Sequence, residues 1–150
     1  MHEEQEHRFT VTSSWNPAEK EGELDTGDRT FGTRFAGAPS LGGKMGLVNP
    51  EELLLSALQA CFVQTWAIFL AKLALPIATP RMSGTCIVEK DPEGGFKVTR
   101  IELNPEIPSA LWASRQKDVE KTLSLAEKYC IVSKAVKGEG RAITVVPNVV

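Results

Sequence analysis

Few side chains in this 150-residue sequence can do nucleophilic or redox chemistry, and they fall into two unequal groups: three cysteines, Cys61, Cys86 and Cys130, and two histidines, His2 and His7. Both histidines sit in a polar N-terminal stretch, MHEEQEHRF, of the kind that frays in most domains. Ser-His-Asp catalysis, Cys-His proteolysis and HExxH metal sites are therefore excluded as readings. The cysteines are too few and too far apart for a disulfide framework, and no CxxC pair signals structural zinc, so no metal is expected. What chemistry there is must run on thiols, carboxylates, Arg or Lys. A disulfide here would be catalytic rather than structural.

Cys61 lies in the middle of the longest apolar stretch, NPEELLLSALQACFVQTWAIFLAKLAL from Asn49 to Leu75. Asn49 suits an N-cap, Pro50 the first helical position, and Glu51 and Glu52 the positive end of a helix. The apolar residues spread around the whole circumference, which predicts a helix buried on most sides. Gln59, Gln64 and Lys72 within the stretch argue against a membrane span. A buried thiol in such a helix is by default a small hydrophobe.

The rest of the chain supplies the elements that must position it. Arg8 to Trp15 alternates as a strand, Glu21 to Asp25 is a second, and RTFGTRF from Arg29 to Phe35 a third, with Phe31, Thr33 and Phe35 on one face and Arg34 on the other. The glycine-rich stretch from Gly37 to Val48 fails as a P-loop, because Ala38 and Met45 replace the residues that motif requires, and reads as a connection. Met82 to Lys90 and Phe96 to Asn104 flank a turn and form a β-hairpin, with Cys86 in the core. Pro108 opens a second, amphipathic helix on Leu111, Trp112, Val119, Leu123 and Ala126, with Arg115, Lys117, Asp118 and Lys121 facing water. A last strand, RAITVVP, follows IVSKAVKGEG. This order of elements is α+β within a single domain over residues 1–150. A formal charge of -2 and 42% hydrophobic residues give no attraction for nucleic acid. The acidic N-terminus is unlike a secretory signal, so a cytoplasmic location is expected.

NPEELLLSALQACF at Asn49 to Phe62 and YCIVSKAV at Tyr129 to Val136 resemble the two cysteine motifs of the OsmC/Ohr family, the osmotically inducible and organic hydroperoxide resistance proteins. FGTRF at Phe31 to Phe35 is similar to the arginine segment of the OsmC branch. The resemblance implies an OsmC-like fold with N-terminal strands, a long buried central helix, a β-hairpin, a second amphipathic helix and a C-terminal strand, assembled as an intertwined homodimer. It also implies a thiol peroxidase of oxidative or osmotic stress defence that needs no cofactor beyond an external dithiol, for which the family suggests lipoyl groups on a partner protein. Carried over, Cys61 would be the peroxidatic and Cys130 the resolving cysteine, forming a disulfide, with Arg34 and Glu51 organising the site. Arg29 is a rival for the arginine role. The family's second motif has Pro directly after the cysteine, where Ile131 stands here.

With those roles, an apolar helix surface alone would raise the Cys61 pKa, and the helix-end field does not reach three turns in, so a cation such as Arg34 is needed. Glu51 precedes Cys61 by ten residues, about 15 Å along one helix, so Glu51 and Arg34 would act from a second subunit at a dimer interface. Leu58, Phe62, Thr65 and Trp66 would wall the pocket and favour organic hydroperoxides. Two other readings remain open, a non-catalytic member of the fold binding an apolar ligand and a thiol redox sensor.

Overall fold

The computed structural model describes residues 6–28, 30–138 and 140–150. His2 and Arg29, the second candidate for the arginine role, lie outside the described residues. The chain divides into two compact units, Met1–Leu53 and Leu54–Val150.

The first unit is an antiparallel meander of β1 (Val11–Asn16), β2 (Glu21–Thr26) and β3 (Gly32–Phe35). The β1–β2 turn forms where expected because Asn16 Oδ1 accepts from the Ala18 and Glu19 N–H groups at 3.1 and 3.3 Å. Register pairs Glu23 with Arg34 and Gly22 with Phe35. Gly22 is required at this crossing, since a Cβ there would lie 2.2 Å from Ser14 O and 2.7 Å from the Phe35 ring. The strand that was predicted from Arg29 is shorter, starting at Gly32. Beyond it the glycine-rich connection holds a single 3-10 turn at Pro39–Leu41. Val48 then bridges to Phe35 in parallel, leading into α1 (Pro50–Lys72). A reciprocal capping box closes the start of this helix: Asn49 Oδ1 accepts from Glu52 N–H at 2.8 Å and Glu52 Oε1 accepts from Asn49 N–H at 3.2 Å.

The second unit is built on β4 (Met82–Lys90) and β5 (Phe96–Ile107), the expected hairpin, with β5 central. Two further strands, β6 (Ala142–Val145) and β7 (Asn148–Val149), pair parallel to β5, because the chain between them crosses over through α2 (Ser109–Tyr129) and α3 (Ile131–Val136). Alternation on β5 is clean: Ile101, Leu103, Pro105 and Ile107 are buried and the residues between them are half-buried. Against this face lie Leu58, Phe62, Trp66 and Leu70 of α1, four apart, with Leu111, Val119, Leu123 and Ala126 of α2 in the same cluster. Cys86 is half-buried on β4 and packs against it.

Burial of α1 on most sides is corrected. Its stripe at Leu58, Phe62, Trp66 and Leu70 is buried, whereas Ala57, Ala60, Gln64, Ile68 and Ala71 are exposed. One sheet face covers one side of a helix, however evenly the apolar residues are spread around it. By length and composition α1 could also cross a membrane, but Leu58, Phe62, Trp66 and Leu70 are buried in the core cluster. Gln59 anchors it to the edge strand, its amide nitrogen 3.3 Å from Met82 O and its oxygen 3.3 Å from Gly84 N.

Arg115 does not face water as expected. Its guanidinium donates to Leu73 O at 3.1 Å and Ala74 O at 3.2 Å, covering the carbonyl end of α1, and to Asp118 at 3.0 Å. The α2 backbone leaves helical geometry at Arg115 itself. Further along, buried Trp66 Nε1 donates to Thr122 Oγ1 at 3.0 Å, and that hydroxyl donates to Val119 O at 2.7 Å. Replacing Thr122 with Val keeps the volume but strands the indole N–H, so denaturant unfolding should show a loss of about 1–3 kcal/mol. A Thr122→Val protein as stable as the wild type would mean that the bond contributes nothing.

Candidate active site

Cys130 is the residue on which two helices meet. Its N–H donates to Ala126 O at 2.9 Å and ends α2. Its Sγ accepts from Ser133 N–H at 3.4 Å and begins α3. No element was assigned to IVSKAV from sequence. The short helix was missed because cysteine is not among the usual capping residues, and only the fold shows its sulfur serving as one. The turn opened in this way lies near a second sulfur, Cys61 on α1, and the peptide groups of Ile131 and Val132 act on its ionisation. Cys61 and Cys130 lie close enough to act on each other's ionisation. The structure thus brings the two motif cysteines together, far apart as they are in sequence.

Their environments drive the two thiols apart. For Cys61, burial is the largest single influence and opposes ionisation, but the Val132 N–H, the Cys130 thiol, the Ile131 N–H and the Thr65 hydroxyl together outweigh it and hold the pKa below the ordinary 9.0. For Cys130, burial acts the same way, and the hydrogen bond to Cys61 and its negative charge reinforce it, pushing the pKa up to about 11. Of the two thiols Cys61 is the one that ionises first, while Cys130 stays protonated to higher pH. Thr65 also ties the turn below, donating to Cys61 O at 2.9 Å.

The expected pocket wall is corrected for three of its four members. Leu58, Phe62 and Trp66 are fully buried in the core and offer no surface to a ligand. Thr65 alone of the four reaches the sulfur, and it does so with its hydroxyl. A groove of about 840 Å³ in the second unit is lined by Leu54, Asp91, Val98, Val136 and Arg141 among others, but by neither sulfur.

Arg34 and Glu51 belong to the first unit. The carboxylate on Arg34 is Glu21, at 2.6 Å, where sequence reasoning expected Glu51. The other Glu21 oxygen lies 2.9 Å from Lys44 Nζ, and Lys44 and then Arg34 hold the Glu21 pKa below its ordinary 4.5. Glu21 went unnoticed because its place beside Arg34 follows from the β2–β3 register and no local motif announces it. Glu51 is half-buried, and its Oε2 is buried without a hydrogen-bond partner among the described residues.

Residues 42–145 match the family model described as OsmC-like protein. The chain belongs to the OsmC-like family. It is similar to organic hydroperoxide resistance protein-like 2 of Staphylococcus epidermidis, with 30% identity over 79% of this chain and 82% of the relative. To an organic hydroperoxide resistance protein-like of Staphylococcus aureus it is 25% identical, over 85% and 87% of the two chains. Among solved structures it resembles the OsmC like protein of Mycoplasma pneumoniae, with a TM-score of 0.78 at 20% identity over 97% of this chain and 99% of that one. It also resembles an organic hydroperoxide resistance protein OsmC of Legionella pneumophila, with a TM-score of 0.76 at 22% identity over 95% and 98%. These structural likenesses show that the OsmC-like fold is shared.

The split between the thiols sets a pH test. Alkylation of reduced protein by iodoacetamide, followed peptide by peptide, should modify Cys61 with a midpoint below 9.0 and spare Cys130 until about pH 11. Between those values the unfolded Cys130 thiol has lost a proton that the folded one still holds, so stability should fall as pH rises from 9.0 through about 11. In Cys130→Ala that alkaline slope should disappear, and a slope unchanged by the substitution would assign it to another group.

Proposed function

We propose that this OsmC-like protein is a thiol-dependent peroxidase that reduces organic hydroperoxides to alcohols in the cytoplasm, as part of oxidative or osmotic stress defence. The observation that carries the proposal is the unequal thiol pair, in which Cys61 ionises more readily than an ordinary thiol and Cys130 less readily. A peroxidatic sulfur must be a thiolate and a resolving sulfur must wait, and the pair has that polarity.

In the first step the Cys61 thiolate attacks a peroxide oxygen, the O–O bond breaks, and the alkoxide leaves and takes a proton from water, giving the alcohol and a Cys61 sulfenic acid. Oxidation removes the negative charge that helped raise the Cys130 pKa, so the resolving thiol is released from part of its restraint only once there is something to resolve. Cys130 then loses its proton and attacks the sulfenic sulfur; the S–S bond forms and hydroxide leaves with that proton as water. An external dithiol, with lipoyl groups as the candidate, reduces the bridge by exchange and becomes a disulfide itself. The names of the staphylococcal relatives favour an organic over an inorganic peroxide. So does the exposed apolar surface next to Cys130, made by Ile131 and by Tyr129 against the Phe69 ring at 5.6 Å.

The working form is a homodimer with sites completed at the interface. Two observations support this, the uncovered stripe of α1 and the buried Oε2 of Glu51, which a donor from a second copy would satisfy. Arg34 and Glu51 would then serve Cys61 across the interface.

One equivalent of cumene hydroperoxide added to reduced protein should remove two hydrogens, seen by intact mass and mapped to a Cys61–Cys130 bridge. In Cys130→Ser the reaction should stop at a dimedone-reactive Cys61, and Cys61→Ser should abolish peroxide-dependent dithiol consumption. Oxidation confined to Cys86 or methionine would overturn the proposal in favour of an apolar-ligand binder. A bridge that forms once without multiple turnovers under excess dithiol would favour a redox sensor. Sedimentation at micromolar concentration should give twice the 16.4 kDa chain mass.

A further inference from the structure

The residues on either side of Cys130 in the chain make a surface that is apolar and positively charged, although the whole chain carries a formal charge of -2. Tyr129, the last residue of α2, is 49% exposed, and its ring lies 5.6 Å from that of Phe69 on α1. Lys72 Nζ stands 5.5 Å from the centre of the Phe69 ring and Lys128 Nζ 5.3 Å from that of Tyr129, both close enough for cation–π attraction. Past Cys130 come Ile131, 76% exposed, and, one turn further along α3, the exposed Lys134. The helix dipole favours a lysine in a last turn and accounts for Lys72 and Lys128 as charges. It does not account for an aromatic pair left partly in water beneath them.

The charges on this surface are unanswered. Glu127, the carboxylate beside Lys128 in the chain, is taken by Lys137. Among the described residues no ion pair involves Lys72, Lys128 or Lys134. The surface also differs from the uncovered stripe of α1 that includes Ile68 and would meet a second copy. Phe69 is turned about 100° from Ile68 around the helix, to the side where it meets Tyr129 of α2.

We propose that Phe69 and Tyr129, with Lys72 and Lys128, form the docking surface for an acidic protein that carries the reducing dithiol on an apolar arm. The proposal rests on a Cys61–Cys130 bridge being the form that must be reduced. Cys130 is buried and Cys61 half-buried, so a dithiol reaches them more readily on a slender arm than on the body of another folded protein. The two rings offer such an arm an apolar seat, and the lysines answer carboxylates on its carrier. Because the chain is acidic overall, a local cluster of opposite sign directs an acidic partner to this face. In the exchange one carrier thiolate attacks the bridge to give a mixed disulfide, and the second carrier thiol displaces the protein sulfur. The carrier leaves as a disulfide, and its two hydrogens end on Cys61 and Cys130.

The probes are two short peptides in which a dihydrolipoyl-lysine stands between glutamates or between lysines, with free dihydrolipoamide as the uncharged reference. Bridge reduction is followed by intact mass at low ionic strength on wild type, on Lys72→Glu/Lys128→Glu and on Lys90→Glu/Lys97→Glu, which makes the same charge change on exposed lysines of the β4–β5 hairpin. Relative to dihydrolipoamide on the same protein, the glutamate peptide should reduce wild type about tenfold faster than the lysine peptide, an advantage lost by about 0.5 M salt. Lys72→Glu/Lys128→Glu should reverse the preference and Lys90→Glu/Lys97→Glu should keep it. Equal rates in wild type, or a preference that survives Lys72→Glu/Lys128→Glu, would overturn the inference. So would binding to phosphatidylglycerol vesicles that depends on Lys72 and Lys128 without any peptide preference, in favour of a membrane surface. Docking is also read without redox chemistry, by fluorescence anisotropy of a dye-labelled glutamate peptide with an unmodified lysine, on reduced protein. Binding weakened about tenfold in Lys72→Glu/Lys128→Glu is expected there, and binding that is absent or unchanged would overturn the docking surface. A failed peroxidase reading would show separately, as no bridge formed by cumene hydroperoxide.

Discussion

The second unit depends on one joint, the Cys130 residue shared by α2 and α3. Its amide completes one helix, its carbonyl accepts the first internal bond of the next from Lys134 N at 3.1 Å, and its sulfur holds the turn between them. Shift that residue and α3 loses its start, the peptide groups of Ile131 and Val132 lose their aim, and Cys61 loses the donors that offset its burial. A thiol is a weak hydrogen-bond acceptor, and here it serves because Cys130 is itself buried in the core.

That core is why the joint is stiff. Cys130 itself belongs to the cluster that runs from Leu58, Phe62, Trp66 and Leu70 through β5 to Val119, Leu123 and Ala126. Trp66 and Thr122 tie α1 to α2 within it by a buried hydrogen bond, and Arg115 ties the far end of α1 to the bend in α2. The two helices that carry the sulfurs are therefore fixed to each other at several points. Large apolar residues that sequence reasoning assigned to a pocket are used in this way instead. The chemistry is left to peptide groups, a threonine hydroxyl and two thiols.

Electrostatics in the two units follow different rules. In the first, Glu21 sits between Arg34 and Lys44 on an accessible surface, where ion pairs exchange readily with water. In the second, fixed peptide dipoles act on a half-buried sulfur, and their effect is set by backbone geometry rather than by mobile side chains. This is why a cation was expected at Cys61 and why the donors found there within the second unit carry no formal charge.

The sequence by itself determined most of the elements and which residue types are candidates for chemistry. Asn49, Pro50 and Glu52 start α1 by local capping, the alternation of Phe96 to Ile107 makes a strand, Pro108 and the apolar period after it make α2, and the placing of both histidines near the N-terminus leaves thiols, carboxylates, Arg and Lys as the candidate reactive groups. These are short-range properties, settled within a few residues of chain. The tertiary structure decided which face of α1 is buried, that IVSKAV is helical, that Arg115 caps α1 and that Glu21 holds Arg34. Each of these depends on what lies across a sheet or against another helix, and an apolar pattern running all round α1 has no preferred side until one sheet covers it.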